Sequence, residues 1–597
     1  MYQSKSIHLA FMLVLIVVGL AFCQPLHVFP LVNFVEELLV TLGVLFAAGL
    51  LFLATKELKL SIWFFLWLAL GVLFGLSGWL HPAPFVAAKM LVGVYWLVGL
   101  LALLIGDQVD WSLDSERLAR WLGVALVVTA MVCAVGGLLR NYGLLGHLWQ
   151  FYFPEPFIGR MVGLVGHSNF FAYICLFGLL GVGYLFSKKH LPLWFCLFSA
   201  LILVSGILGA GSRSVLVAWL ATIAVLLMRF RIAAVKPWVF FLIGAFVFYW
   251  LFRPAFLAVD GWLSVYVVKH GFLLGGGSAN ADIVGRGGLS AERLAEWKVT
   301  LELIRQHFWG GIGIGNYAAE TFRQHLADGT QTPGALFLHS HNSPMQLVVE
   351  LGVAGLLWLL ALVGIAGTAF WQATKESARL LPLLLVLAIQ VYGLFEFPLW
   401  LMHFLALHML LLGALGGRKW VVQVRLGKLF AGLAFFAFAV GAFTYIPLAE
   451  RFNWSYRQYF LQENVTAQDY AFVASLMKDP LLEPYGYQVY FANFNISEDM
   501  RDIERKALEG FRDYLPYGQT LVRLAVIRQI DGDKAGAQQV LAEMRAFYGN
   551  AFELVLEEQI SVTQDKFPAL DFSGLLLKEP PAVSESSQQA ASQPPVN

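Results

Sequence analysis

Long apolar runs follow one another along this chain with only short polar intervals between most of them. A hydrocarbon core about 30 Å thick needs about 20 mostly apolar residues per helix. Windows of that kind fall at roughly 7–22, 34–55, 59–80, 84–105, 119–140, 168–186, 191–209, 213–230, 237–252, 345–372, 380–395, 399–416 and 428–447. The pattern predicts an all-α polytopic membrane protein of about 13 transmembrane helices. The first run follows Lys5 and ends at Leu20-Ala21-Phe22-Cys23. Phe22 is too large for the position before a cleavage site, so the run reads as a span and not as a removed secretion signal.

Two stretches interrupt the apolar pattern. Residues 253–344 form a large loop in which Leu294, Trp297, Leu301, Ile304 and Phe308 recur at helical steps. Ser290 is the expected N-cap of that helix and Gly310-Gly311 its stop; Arg293, Glu296 and Arg305 lie on its polar edge. The helix is expected on the membrane surface or over the bundle. From about 449 the chain becomes an ordinary soluble mixture with helical patterning, as in Gln519–Ile530, a turn at Asp531-Gly532-Asp533, and Lys534–Tyr548. That pair looks like one tetratricopeptide-type (TPR-like) repeat, and one copy is too few for a solenoid. The expected organisation is therefore a membrane domain over 1–252 with about 9 spans, the loop over 253–344, about four further spans over 345–448, a small α-helical domain over 449–576, and a disordered tail rich in Pro, Ser and Gln over 577–597.

Charge placement orients the spans. With a cytoplasmic N-terminus, one side collects Lys5, Lys56, Lys59, Arg117, Arg120, Lys188, Lys189, Arg229, Arg231, Lys236, Lys375, Arg379, Arg418, Lys419, Arg425 and Lys428. The short loops of the other side carry Arg140, Arg160 and Arg213. The positive-inside rule then puts the loop and everything after 448 on the outer side. Composition agrees with a chain dissolved mostly in lipid: 59% of residues are hydrophobic and 13% charged, which makes the net charge of +1 uninformative. Cys23, Cys133, Cys175 and Cys196 lie in or beside apolar stretches without the spacing of a metal site or redox pair, and read as small buried hydrophobes.

The strongest chemical signal is Phe337-Leu-His339-Ser-His341-Asn342, just before a span that opens Met345-Gln-Leu-Val-Val-Glu350-Leu-Gly352. Imidazoles titrate near neutral pH and serve as general base or hydrogen-bond donor; the same residues would also suit an interfacial helix cap. In Gly211-Ser212-Arg213-Ser214, a guanidinium stands at the mouth of a span, where it is costly unless paired, snorkelling or functional. Its planar fork matches phosphate oxygens, and Arg293, four residues before Trp297, is a second candidate for the same task. Arg160, His167 and Asn169 precede one span and Glu396 ends another. Each alone would suit an interfacial cap; together they gather His, Asn, Arg and Glu at one membrane face. The run Gly310-Gly-Ile-Gly313-Ile-Gly315 follows a helix instead of a strand, so a nucleotide loop is rejected in favour of a close turn back over the membrane domain. Asp282, Glu292 and Glu296 are scattered, the two glutamates reading as helix-surface charges, so no cofactor and no metal are expected. Nothing points to nucleic acid.

These segments, taken in order, resemble the O-antigen ligase and polymerase superfamily and, within it, the pilin-type (PglL-like) O-oligosaccharyltransferases. The resemblance covers the membrane part through Gly-Arg160, Gly-His167-Ser-Asn169, Gly-Ser-Arg213-Ser, Arg293-x-x-x-Trp297, Gly311-x-Gly313-x-Gly315-Asn316-Tyr, His339-Ser-His341-Asn342 and Glu350-Leu-Gly352. It implies a multi-pass protein of a Gram-negative inner membrane, with the loop and the C-terminal domain in the periplasm. It further implies a donor glycan on undecaprenyl diphosphate and an acceptor hydroxyl on a pilin or other secreted protein, on lipid A core or on another glycan. By resemblance, His341 is the general base, His339 and Asn342 orient it, and Arg213 and Arg293 hold the diphosphate. Arg160, His167, Asn169, Trp297 and Glu396 would contact donor or acceptor. Phe395-Glu-Phe-Pro-Leu399 is similar to a segment of the protein-glycosylating branch, which carries Gln at the place of His167 and Tyr at the place of Phe397.

Two other functions compete. An O-antigen ligase or polymerase would use the same chemistry on a glycan acceptor. A secondary transporter would also fit thirteen spans, but paired half-repeats are missing and ionisable residues within the spans are few, Lys89 and His408 among them.

Overall fold

Every predicted span falls on a helix. The computed structural model describes residues 2–27, 31–109, 111–144, 160–270, 291–332, 336–375, 377–417, 419–460, 466–493 and 495–577. Ser290, Asp282 and the tail from 578 onward lie outside them. The membrane helices are α1 (Tyr2–Cys23), α2 (Phe34–Ala54), α3 (Ile62–Leu80), α4 (Val86–Gln108), α5 (Trp111–Asn141), α6 (Ser168–Ser187), α7 (Leu193–Ala210), α8 (Arg213–Leu227) and α9 (Lys236–Lys269). After two loop helices, α10 (Ala291–Gln306) and α11 (Tyr317–Asp328), come α12 (Ser343–Leu351), α13 (Val353–Ala373), α14 (Leu380–Gly393), α15 (Met402–Leu415) and α16 (Gly427–Phe460). Among the described residues ten helices are long and apolar enough to cross a membrane, and α8, α14 and α15 are shorter apolar helices.

Two boundaries differ from the hydrophobic pattern for physical reasons. The span expected over 345–372 is two helices, broken at Gly352 with φ 61°. The span expected to end at 252 runs on to Lys269 through Pro254. Its buried Asp260 accepts a hydrogen bond from Tyr142 Oη at 2.6 Å, which removes the polar cost that made the pattern stop early.

The bundle is built around α6, buried along nearly its whole length between α5 and α7. On the other side α15 lies along α4. Their backbones meet where side chains are missing: a Cβ on Gly106 would stand 2.1 Å from Leu410 O, and one on Gly413 2.3 Å from Leu103 O. At the far end of α3 and α4 the chain forms a ribbon that the hydrophobic pattern did not reveal. Strand β1 (Glu57–Ser61) pairs antiparallel with β2 (Lys419–Gln423), Glu57 opposite Gln423 and Ser61 opposite Lys419. The two ionisable residues noted within spans have local partners. Lys89 Nζ donates to Gly78 O at 2.6 Å and His81 O at 2.5 Å, satisfying carbonyls at the end of α3. His408 Nε2 pairs with Gln390 Nε2 at 2.8 Å. All four cysteines are free, three of them buried.

Beyond the bundle, the C-terminal domain comprises α17 (Ala467–Leu476), α18 (Glu483–Phe491), α19 (Arg501–Tyr514), α20 (Gly518–Ile530), α21 (Lys534–Tyr548) and α22 (Glu553–Lys566). The helix pair read from the sequence is α20 and α21, joined at Asp531-Gly532, with Asp533 capping Gly536 N. Buried inside the domain, Arg523 donates to Glu504 Oε2 at 2.8 Å and to Asn495 O at 2.8 Å.

Candidate functional site

The loop helix α10 presents a different face from the one its apolar spacing suggested. Leu294 and Leu301 are exposed, whereas Glu296, Val299, Thr300 and Leu303 are buried. Glu296 is therefore no surface charge. Tyr317 Oη donates to its Oε1 at 2.6 Å, Thr300 Oγ1 lies 2.6 Å from the same hydroxyl, and His325 Nε2 stands 3.7 Å from Oε2. Tyr317 and His325 come from α11, a helix the hydrophobic spacing did not disclose although Asn316 and Gly329 stand at its two ends. Glycines then fold the segment back, as expected. Gly311 has φ 71°, and a Cβ there would lie 2.2 Å from Glu350 O. Ile312 N and Gly313 N donate to Val349 O and Glu350 O, and Ile314 N reaches Ser77 Oγ on α3 at 3.1 Å.

This fold-back seats α12, whose start carries the histidine motif. Asn342 caps the helix, its Oδ1 accepting from Met345 N at 3.0 Å while its amide donates to Leu394 O at 3.1 Å. Gln346 Oε1 accepts from Ser340 N at 2.7 Å, and Trp297 Nε1 donates to Ser340 O at 2.9 Å. Gln346 Nε2 in turn donates to Glu350 Oε1, which also accepts from Gly315 N at 3.0 Å. Burial lifts the Glu350 carboxyl to about 7. Gln346 was not singled out by its sequence, though its i, i+4 spacing to Glu350 was visible. Between these anchors His341 takes φ 51°, a left-handed conformation that costs a non-glycine residue about 1–3 kcal/mol and persists only where its surroundings fix it.

Helices α14, α10 and α6 and the segment leading into α6 deliver the rest of the cluster. Glu396, only 2% exposed, follows α14 and forms an ion pair with Arg293 Nη2; Arg293 Nη1 also donates to Phe395 O at 3.1 Å. Asn169, in the first turn of α6, donates to Glu396 Oε1 at 2.7 Å. Arg160 Nη2 donates to Asn169 Oδ1 at 2.8 Å, and its Nε to Ala210 O at 2.6 Å. His341 Nε2 lies 4.0 Å from Glu396 Oε2, and its Nδ1 has no hydrogen-bond partner among the described residues. The Phe397 ring packs on His339 with centroids 3.5 Å apart, and His339 meets His341 edge-on at 4.6 Å. His167, just before α6, packs on Phe170 at 4.1 Å. The structure thus brings Arg160, His167, Asn169, Arg293, His339, His341 and Glu396 together. Trp297 and Asn342 hold the motif's backbone. Arg213 opens α8, exposed, three residues beyond the Ala210 carbonyl that Arg160 engages.

The electrostatics favour neutral imidazoles. Burial first, then His339 and Arg293, holds His341 down at about 2; burial holds His339 at about 4, and burial with Arg160 and Arg293 holds His167 at about 3. Burial raises the Glu396 carboxyl, opposed by Arg293 and by the Asn169 amide. The arrangement offers a neutral imidazole that burial makes a weak base, a carboxylate that would strengthen it on closer approach, and two guanidinium groups; together they suit removal of a proton from an incoming hydroxyl while an anion gathers charge.

A model of the O-antigen ligase family matches residues 198–360, which include Arg213, α10 and the histidine motif. A second model, described as the C-terminal part of a virulence-factor membrane-bound polymerase, matches residues 380–560 and so spans Glu396 and most of the C-terminal domain. The chain is 25% identical over 418 residues to a general O-oligosaccharyltransferase of Acinetobacter baylyi, covering 66% of this chain and 68% of that protein.

Proposed function

We propose that this chain, which belongs to the O-antigen ligase and polymerase superfamily of membrane glycosyl-transferring enzymes, moves an oligosaccharide en bloc from undecaprenyl diphosphate to a Ser or Thr hydroxyl of a pilin or other secreted protein. The observation that carries the reading is the placement of His341, its Nε2 4.0 Å from Glu396 Oε2, beside the ion pair of Glu396 with Arg293. The site would face the periplasm of a Gram-negative inner membrane, a reading supported on the question of side by the charge distribution along the spans.

In this mechanism the acceptor hydroxyl oxygen attacks the anomeric carbon as its proton passes to His341. The bond between the anomeric carbon and the phosphate oxygen breaks, and its electron pair leaves on the lipid diphosphate. Inversion follows from the single displacement. Glu396 steadies the imidazolium that forms, closing the 4.0 Å gap as the substrates bind. Arg293 turns from Glu396 toward the diphosphate, aided by Arg213; a guanidinium fork meets two phosphate oxygens at once. His339 and Asn342 orient the base, while Arg160, His167, Asn169 and Trp297 line the donor or acceptor path. The leaving group is already activated, so no nucleotide is required, and the proposed mechanism is metal-independent.

The test combines purified protein, lipid-linked oligosaccharide and candidate acceptors, with His341→Ala in parallel. Wild-type transfer at Ser or Thr with an inactive variant supports the reading; an equally active variant removes His341 from the base's role, and loss of transfer in EDTA overturns metal independence. One family match is described as an O-antigen ligase and the other as a membrane-bound polymerase. An acceptor of lipid A core or glycan repeat units is therefore the second reading, and loss of the protein in cells would then shift lipopolysaccharide banding instead of pilin mobility.

A further inference from the structure

The residues leading into His339 lie on a seam between two hydrophobic cores. Leu336 and Leu338 join the core of the C-terminal domain, with Phe511, Leu521, Phe547 and Leu556. Phe337 turns the other way, onto Val299, Leu303, Ile312, Tyr317 and Val349 of the loop. That alternation is the one extended chain imposes. Helix α11 crosses the same seam. Its Ala318 and Phe322 are buried in the domain's core, with the Phe322 ring 4.8 Å from Phe547, and Phe547 O accepts from Thr332 N at 2.8 Å. From the membrane side, Phe85 enters that core 4.8 Å from Phe511. The domain's core is thus completed by the loop that carries the histidines.

His341 gives this sharing a purpose. A left-handed non-glycine backbone stays in place only when fixed from both sides. On one side stand the Asn342 cap and its bond to Leu394 O; on the other stand Leu336 and Leu338. A second route reaches Arg293, because Tyr317 of α11 holds Glu296 one turn farther along α10.

We infer that the C-terminal domain is a brace for the reaction centre. In this role Leu336 and Leu338 are positioning residues, and the contact of Phe322 with Phe547 keeps His341 turned toward Glu396. The inference rests on His341 being the base proposed above. When the contact is loosened, residue 341 leaves the left-handed region and its ring swings away from Glu396.

The experiment uses full-length protein in detergent with Phe547→Ala, Phe547→Leu and Ile560→Ala. Ile560 is buried in the same domain, on α22, which packs on α20. Histidine modification by diethyl pyrocarbonate, located by peptide mass spectrometry without any substrate, reads the histidines directly; transfer kinetics read the consequence. Phe547→Ala should speed modification of His339 and His341 and lower kcat about ten- to a hundredfold with donor KM within about twofold, the scale of a misplaced reacting group. Phe547→Leu should restore both, and Ile560→Ala should lower Tm while changing neither. If Phe547→Ala does not accumulate, Leu338→Ala is read in the same way. Unchanged modification in the alanine variant overturns the brace, as does a loss of kcat that tracks Tm equally in Phe547→Ala and Ile560→Ala. An active His341→Ala would instead overturn the base assignment, and the modification rates would still decide the brace.

Discussion

The two ends of the α3–α4 hairpin both bury polar side chains, and they treat them differently. At the ribbon end the side chains bond to backbone groups, while Asp107 Oδ1 and Ser61 Oγ have no hydrogen-bond partner among the described residues. Asp107 Oδ2 accepts from Ser61 N at 2.9 Å, Gln108 exchanges two 2.9 Å bonds with the Lys59 backbone, and Lys419 Nζ donates to Asp107 O at 2.6 Å. At the histidine end side chains bond to backbone and also to one another, in a chain from Arg160 through Asn169 and Glu396 to Arg293, and Nδ1 of His167, His339 and His341 has no hydrogen-bond partner among the described residues. Satisfying buried backbone groups secures a fold. Leaving a buried lone pair open costs stability and keeps it available to a substrate.

This contrast can be broken from either end. His341→Ala should have the largest effect, lowering transfer about 10²–10⁴-fold as loss of a general base does, with the folded fraction unchanged by size-exclusion chromatography. Glu396→Gln should lower kcat roughly ten- to a hundredfold, because the imidazolium loses its counter-charge and Arg293 loses its anchor; steady-state kinetics on a defined donor measure it. Asp107→Ala belongs to the other class. It strands Ser61 N and should cost about 1–3 kcal/mol of stability, seen as a lower Tm in detergent, with kcat within about twofold of wild type. A tenfold fall in kcat there would erase the distinction between the ends.

The smallest effect expected is that of pH on rate. With His341 held near 2, the base is neutral throughout the usual working range. The acid limb of kcat/KM should therefore be flat from pH about 8 to about 5.5, where an ordinary histidine near 6.5 would give a tenfold fall. Stability should respond in the same window. The unfolded chain takes up protons on its histidines below about 6.5 while the folded chain, with His339 near 4, His167 near 3 and His341 near 2, does not. The histidines' contribution to stability then falls as pH drops from about 6.5 toward those values, opposed by Glu350, whose carboxyl at about 7 takes up its proton first in the folded chain. Thermal unfolding across that range measures it.

Much of this was legible in the sequence because lipid is a demanding solvent. Apolar runs marked the membrane helices, and the residues proposed for chemistry were polar groups next to those runs. What escaped was tertiary. The hydrophobic spacing of α10 pointed to Leu294 and Leu301, yet Glu296 is the buried residue, since its partners Tyr317 and His325 lie on a separate helix. The break at Gly352 was hidden within a continuous apolar stretch. The seat of His339 on Phe397 joins segments whose meeting no local periodicity encodes. Glu57-Leu-Lys-Leu-Ser61 did alternate as a strand should, but its partner begins at Lys419, outside any window that reads one segment at a time.

That long separation has a consequence for how the protein is made. Glu57 and Gln423 are 366 positions apart, so at about 5–20 residues per second the first strand waits roughly 20–70 s for the second to be synthesised. Asp107 and Gln108, which hold that polar backbone in the folded protein, emerge only some fifty residues after it. The hairpin of α3 and α4 therefore guards its own unfinished edge, and the ribbon closes after Glu396 has been made. The helices of the C-terminal domain follow the membrane helices in the chain, so the brace proposed for the histidines is a later part to form.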